Sequence, residues 1–428
     1  MMRRLQTILQ PHLVYLPLVV IGLFCWLLPP RIIGISHKSE LSLVALIVVV
    51  AWYFLIVVAC LLARRVTASL VWVDRGRKAY SPLFYYVLSA MAVLGTLGTL
   101  GTLGSLGEVL QAIREQQVND LKELLYSDYS AGLLTLRYAA VLAGVYALYR
   151  LLVLRKLSLL DMGNLLLMLV CAFISARIML IQTMFCFLFV FVNQPSAVRR
   201  PLRLSRVKGT MLAGAAFAAI VVFTYLRSAN TYKYELGVTN PIAVTAVELG
   251  RYAGMPIQVT IGVGEIIATT EVVERTPIRP LYLAPTFLHS DDIESDNSGG
   301  VGKQWYLGLI DLPPTLTTNS ALAALVGYLG FWAFLAMPLV CFFHALLFFA
   351  FRSLNTFEAR LYQAVTLYAF FEIWRLYFFS AGSFIFLNLL MLGFFVAQVL
   401  SGRLAIGRRP PRRRAAPIRT VSPHPERR

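Results

Sequence analysis

Apolar blocks near the length needed to cross a bilayer, roughly 17–25 residues, recur along the chain and restrict its fold more than any other feature. A water-soluble domain is about half apolar and a quarter charged, whereas this chain of 428 residues is 58% hydrophobic and 14% charged. The sequence therefore predicts an all-α, polytopic integral membrane protein. About ten transmembrane helices are expected, near residues 12–29, 41–63, 83–106, 132–154, 158–175, 178–192, 210–227, 320–350, 362–380 and 383–401. Across 158–192 one helix would be roughly 50 Å long against a hydrocarbon core of roughly 30 Å. Ser175-Ala176-Arg177 interrupts that stretch, and a charge at mid-membrane costs on the order of 3 kcal/mol, so two short spans are expected. The first block follows Met1-Met2-Arg3-Arg4 as in a signal peptide. Its end, Leu27-Leu28-Pro29-Pro30-Arg31, lacks a small-x-small cleavage site, so it reads as a retained span.

Basic residues orient the spans, because short cytoplasmic loops collect Lys and Arg. With both termini placed inside, the cytoplasmic segments hold 26 of the 39 Lys and Arg, including Arg64, Arg65, Arg150, the cluster from Arg199 to Lys208, and nine arginines from Arg403 onward. Merging 158–192 into one span would put the 199–208 cluster outside. The resulting organisation is an N-terminal bundle of about seven spans over 1–227, a large external loop over 228–319, about three further spans over 320–401, and a disordered basic tail over 402–428. The net charge of +18 is thereby a membrane feature. No nucleic-acid partner is expected, since the aromatics sit mostly inside the apolar blocks instead of on a basic face.

All five cysteines fall in apolar blocks, which argues against disulfides and thiolate-bound metal. Glycines at 95, 98, 101, 104 and 107 recur every three residues. Three residues advance a helix by about 300°, so they walk around the helix instead of forming one dimerisation stripe, and close packing on several sides is expected. No Walker A loop, HExxH, GxSxG elbow or CxxC is present, and neither metal nor other cofactor is expected.

What remains is charge on the outer side, where arginines are uncommon. Arg137, Arg177, Arg227 and Arg375 lie at similar depth on four separate elements. Each has a local reading: snorkelling to head groups, or pairing, as Glu372 with Arg375 three residues on. As a set they predict an external site for a phosphorylated, lipid-linked ligand, since guanidinium holds phosphate in bidentate fashion. In the large loop, 241–247 and 255–267 read as short helices, with Asn240-Pro241 a helix start and Gly254-Met255-Pro256 a break. Glu248 and Arg251 share a helix face, either as an ion pair or as functional groups. Among five histidines, His289 alone joins an external position to acidic neighbours, which suits proton transfer.

Ile174-Ser175-Ala176-Arg177-Ile178, the loop pair Arg251-Tyr252, the run Thr317-Thr318-Asn319-Ser320 and Gly327-Tyr328-Leu329-Gly330-Phe331, in this layout of spans, resemble the bacterial O-antigen polymerases (Wzy-type repeat-unit polymerases). Arg251 and Gly262 fit an Arg-x10-Gly spacing described for some members, while Tyr328-Leu329 departs from the acidic residue often found before the last glycine. The resemblance implies a glycosyltransferase of the outer face of the bacterial inner membrane, both termini cytoplasmic and the large loop periplasmic. It would move a growing glycan from an undecaprenyl-pyrophosphate donor onto a lipid-linked repeat unit, in company with membrane lipids and with the chain-length regulator and flippase of the same pathway. Arg137, Arg177, Arg227, Tyr252 and Arg375 would hold pyrophosphate or sugar, and Arg251 would stabilise the departing pyrophosphate without a metal. Glu248 or His289 would take the acceptor's proton, with Glu265 and Asp291 behind them. Two alternatives stay open: an O-antigen ligase using the same donor, and a flippase or transporter of lipid-linked oligosaccharide.

Overall fold

The computed structural model describes residues 2–74, 80–102, 135–174, 177–193, 232–269, 309–312 and 320–408, with Tyr306 and single positions between 214 and 225. Helices dominate: α1 (Met2–Ile8), α2 (Leu16–Trp26), α3 (Pro30–Ile33), α4 (Leu43–Val66), α5 (Pro82–Thr102), α6 (Ala139–Leu152), α7 (Leu159–Ile174) and α8 (Arg177–Asn193). After them come α9 (Pro241–Thr269), α10 (Ala321–Leu329), α11 (Ala333–Ala350), α12 (Phe357–Glu372) and α13 (Gly382–Leu400). Among the described residues, four helices are long and apolar enough to cross a membrane: Leu43–Ser69, Pro82–Gly101, Gly330–Ser353 and Gly382–Leu400. Shorter apolar helices accompany them, and the architecture is that of a helical membrane protein.

Two groups of helices meet at α12. In one, α5, α6, α7 and α8 pack around α6; in the other, α9 lies on α2, α3 and α4, while α11 packs along α4. Helix α12 contacts α8, α11 and α13 and is buried along nearly its whole length despite its polar residues. Two of those residues are bonded to neighbouring elements. Gln363 donates through Nε2 to the Phe348 carbonyl at 2.8 Å, and Glu358 accepts from Tyr146 Oη at 3.0 Å and from the Ser81 amide.

The expected division of 158–192 falls at Ser175 and Ala176, which lie outside the described residues; α7 covers Leu159–Ile174 and α8 Arg177–Asn193 on either side of them. Other expectations need correction. The stretch 320–350 is two helices, because Gly330 takes φ +56°, ψ −137° between them, a conformation open essentially to glycine alone. The expected span 362–380 is α12, which starts earlier, at Phe357, where Thr356 Oγ1 caps the Ala359 amide at 3.2 Å. It ends at Glu372, so Arg360 lies inside a helix. The two short helices expected at 241–247 and 255–267 are one continuous helix of 29 residues, with Pro256 inside it. The tail is ordered at its start: β2 (Leu404–Arg408) pairs antiparallel with β1 (Leu70–Asp74), Leu70 opposite Arg408.

This ribbon marks one end of the molecule. The Trp72 amide donates to Ser353 Oγ at 2.8 Å, and Arg150 donates to Tyr80 Oη at 2.5 Å. Segments rich in arginine (64–74, 150–158, 352–360, 401–408) therefore gather together. Asp161 binds Arg150 nearby, saturated by Arg150 Nε (2.8 Å), Tyr85 Oη (2.8 Å) and the Ser158 amide and hydroxyl (2.8 and 2.7 Å). Of the period-three glycines, Gly95 is tightly packed: a Cβ there would lie 2.0 Å from the Arg137 amide nitrogen, whereas one at Gly101 would meet nothing among the described residues. Gly330→Ala is expected to lower stability by about 1–3 kcal/mol through backbone strain alone. Thermal unfolding in detergent measures it, and an unchanged midpoint would contradict the strained turn.

Candidate functional site

Helix α9 builds the site by where it docks. Asn240 Oδ1 accepts from the Ile242 amide at 2.9 Å and the Ala243 amide at 3.3 Å, with Pro241 at the first helical position, as the sequence predicts. The helix then passes the C-terminal half of α2 at backbone distance. A Cβ on Gly22 would lie 2.9 Å from the Ala253 carbonyl oxygen, and one on Gly254 would lie 3.2 Å from Cys25 C and Trp26 N. Farther on, Gly264 meets Ala45 of α4 in the same way, at 3.1 Å from its carbonyl oxygen. Small residues at such crossings let helices approach where no aqueous hydrophobic effect drives them together.

Gln258 locks the crossing. Fully buried, it accepts through Oε1 from Trp26 Nε1 (2.8 Å) and the Ser39 amide (3.0 Å), and donates through Nε2 to the His37 carbonyl (3.2 Å). Asp311 Oδ2 fastens the same loop, accepting from the amides of Ser36 (2.5 Å) and His37 (2.6 Å). Glu265 accepts from the Ser42 hydroxyl, which caps α4. Glu265 is thus a tether at the start of α4.

Between the α9 start and α3 lies an open cleft of about 570 Å³, lined by Arg31, Gly34, Ile35, Ser36, Glu235, Leu236 and Arg251. Arg251 is its fixed cation. Its Nε donates to the Ile32 carbonyl at 3.2 Å, its guanidinium lies 4.8 Å from the Tyr232 ring centroid, and Nη1 pairs with Glu235 Oε2 at 2.6 Å. Gly34, at φ +85°, supplies the flat surface under it: a Cβ there would come 2.9 Å from Arg251 Cζ. The partner of Arg251 is therefore Glu235. Glu248 is buried beside them, where its charge acts on the Tyr232 phenol. Burial pushes that phenol above its ordinary pKa, Glu248 adds to the shift, and Arg251 opposes it.

The structure brings four of the sequence-derived candidates around one stretch of α9. Glu248 and Arg251 face Tyr232, while Tyr252 interacts electrostatically with Arg375. Arg375 itself forms the local pair with Glu372, through Nε to Oε2 and through Nη2 to Oε1 at 3.0 Å. Arg137 is buried within electrostatic reach of Cys171 on α7. Arg177 opens α8, and its side chain, like Arg227, His289 and Asp291, lies outside the described residues. Gly262, three turns beyond Arg251, is a packing position: a Cβ there would sit 2.7 Å from both Ser39 Oγ and Ile310 Cδ1.

Sequence reasoning missed Arg31, Gly34, Glu235 and Gln258. The Pro30 and Gly34 pair did carry a signal, since Pro at a first helical position and a left-handed Gly just past the end outline a one-turn helix. Compared with family models, curated proteins and solved structures, the chain matches none. Gln258→Leu leaves the Trp26 indole and the Ser39 amide without their acceptor, at about 1–3 kcal/mol each. A loss of about 2–4 kcal/mol is expected in detergent unfolding followed by tryptophan fluorescence, and a loss below about 0.5 kcal/mol would contradict the clamp.

Proposed function

We propose that this protein is a membrane glycosyltransferase of the O-antigen polymerase kind, transferring a growing glycan from an undecaprenyl-pyrophosphate donor onto a lipid-linked repeat unit. The observation that carries this reading is the Arg251 cleft. It presents one guanidinium held rigid and a second, Arg31, whose side chain makes no hydrogen bond or ion pair among the described residues. Exposed Phe24, Leu27 and Leu28 lead into Arg31, so an apolar surface adjoins the two cations. A pyrophosphate carrying a long hydrocarbon chain suits both halves of that surface, and guanidinium is the side chain best shaped for phosphate.

In this reading the chain crosses the bacterial inner membrane about ten times, with both termini cytoplasmic and residues 228–319 periplasmic. The arginine-rich end with the β1–β2 ribbon then faces the cytoplasm and the Arg251 cleft the periplasm. As the bond from the anomeric carbon to the pyrophosphate oxygen breaks, negative charge builds on the departing group. Arg251 neutralises it from a fixed position, which lowers the barrier without reorganisation of that group at the moment of reaction, and the exposed Arg31 adds a second positive charge. The acceptor hydroxyl gives its proton to Glu248 or His289. Tyr252 and Arg375 orient the sugar, with Arg137, Arg177 and Arg227 as further contacts to the donor.

Reconstitution with a lipid-pyrophosphate-linked repeat unit tests the proposal. A product ladder is expected, reduced about a hundredfold or more in Arg251→Ala. A ladder that survives this change sinks the assigned role; single-unit transfer to lipid A core identifies a ligase, and movement of substrate without new bonds identifies a transporter. The topology is checked separately. Ser196→Cys is expected to resist a membrane-impermeant maleimide applied from outside, and rapid labelling would reverse the assigned sides.

A further inference from the structure

We infer that Glu235 is a built-in substitute for the ligand's phosphate, holding Arg251 until a phosphate group bridging Arg251 and Arg31 displaces it. This rests on the reading of the cleft given above and adds to it how ligand entry is controlled. The two partners of the Glu235–Arg251 pair are unequally fixed: the Arg251 side chain is 9% exposed and that of Glu235 is 37% exposed. Arg251 keeps its place without Glu235, because the Ile32 carbonyl, the Tyr232 ring and the backbone at Gly34 hold it from three sides. Glu235 has only to rotate into solvent. Just after it, Gly237 at φ +67° closes the helical turn, its amide and that of Val238 bonded back to the Lys233 and Tyr232 carbonyls at 3.0 and 3.2 Å, so the backbone stays in place while the Glu235 side chain turns.

The charges favour the exchange. The cleft is lined by two guanidiniums and one carboxylate, and the carboxylate satisfies Arg251 alone. A pyrophosphate carries enough charge and enough oxygens to satisfy Arg31 as well, so its entry replaces one part-buried ion pair by two charge-assisted contacts. A partly exposed pair such as Glu235–Arg251 is weak enough to give way. The cleft therefore discriminates against singly charged anions, which gain little over the carboxylate already present.

The test uses the full-length protein in nanodiscs of zwitterionic lipid, with farnesyl pyrophosphate and inorganic pyrophosphate as probes and equilibrium binding as the readout. Glu235→Gln is expected to bind farnesyl pyrophosphate about five- to tenfold more tightly than the unaltered protein, and Arg31→Ala about fivefold more weakly. Glu235→Ala, which removes the carboxylate differently, moves the affinity the same way as Glu235→Gln. A gain with both probes assigns the exchange to the phosphates, and a gain with farnesyl pyrophosphate alone assigns it to a lipid-linked anion; either supports the inference. Unchanged or weaker binding by Glu235→Gln overturns it, as does a gain that appears only when the nanodiscs contain anionic phospholipid. Tighter binding by Glu235→Gln with no product ladder leaves the exchange standing and removes the polymerase reading. A ladder with unchanged Glu235→Gln affinity does the reverse.

Discussion

The approach of α9 to α2 at backbone distance is the constraint on which the rest of this site depends. Gly22, Gly254 and Gly264 leave no side chain in the way, and the helix settles deep enough for Gln258 to reach Trp26, Ser39 and His37 at once. That depth brings Arg251 beneath the Ile32 carbonyl. A shallower crossing would leave the guanidinium in water, where it would be one more interfacial cation. Inside the groove its Nε and ring contacts are fixed, and only one edge remains for a counter-ion. Rigidity of this kind turns a basic residue into a binding group, because the cost of ordering it is met during folding.

Pro256 shows how far that docking governs local structure. A proline inside a helix removes one backbone hydrogen bond and crowds the preceding turn, and beside Gly254 it looks like a stop. The helix nevertheless runs from Pro241 to Thr269 without interruption. Thr260 Oγ1 bonds the Pro256 carbonyl at 2.7 Å, and the α9 face from Met255 to Gly264 is buried against neighbours. Packing on several sides outweighs the local preference, as is common where neighbouring helices surround the weakened turn. The opposite outcome holds at Gly330, where a Cβ would meet nothing among the described residues and the helix breaks. A single glycine with few contacts obeys its own backbone freedom; a proline with many contacts does not obey its handicap.

These two positions explain what was legible in the sequence. Features set by residues close in the chain were readable: the Asn240-Pro241 cap and the Glu372–Arg375 pair. The cleft was not readable, because it joins residues 31–36 to 235 and 251, and neither periodicity nor spacing reports contacts across 200 residues. Glu248 and Arg251 illustrate the gap. Their spacing suggested a pair with each other, yet the carboxylate that meets Arg251 comes from Glu235 in the preceding segment. Glycine roles divide in the same manner. The regular series from Gly95 to Gly107 drew notice by its period, while Gly22, Gly34 and Gly254, which fix the site, belong to no pattern.

The distribution of compensated charge carries the argument one step further. A cation near the bilayer is costly unless a partner or a polar surface receives it. At the ribbon end, Arg150 meets Asp161, and Arg360 donates to Gln363 and Asn355. At the opposite end, Arg375 has Glu372, Arg251 has Glu235, and Lys38 lies 5.2 Å from the Trp26 ring centroid. Arg31 has no such partner among the described residues, yet it lines the same cleft as Arg251. Folding alone gains nothing from an unpaired guanidinium held beside a paired one, next to exposed leucines. A ligand with two negative groups and a hydrocarbon tail would satisfy every element of that arrangement at once, and in the proposed reading Arg31 is the residue that would distinguish a binding cleft from a structural one.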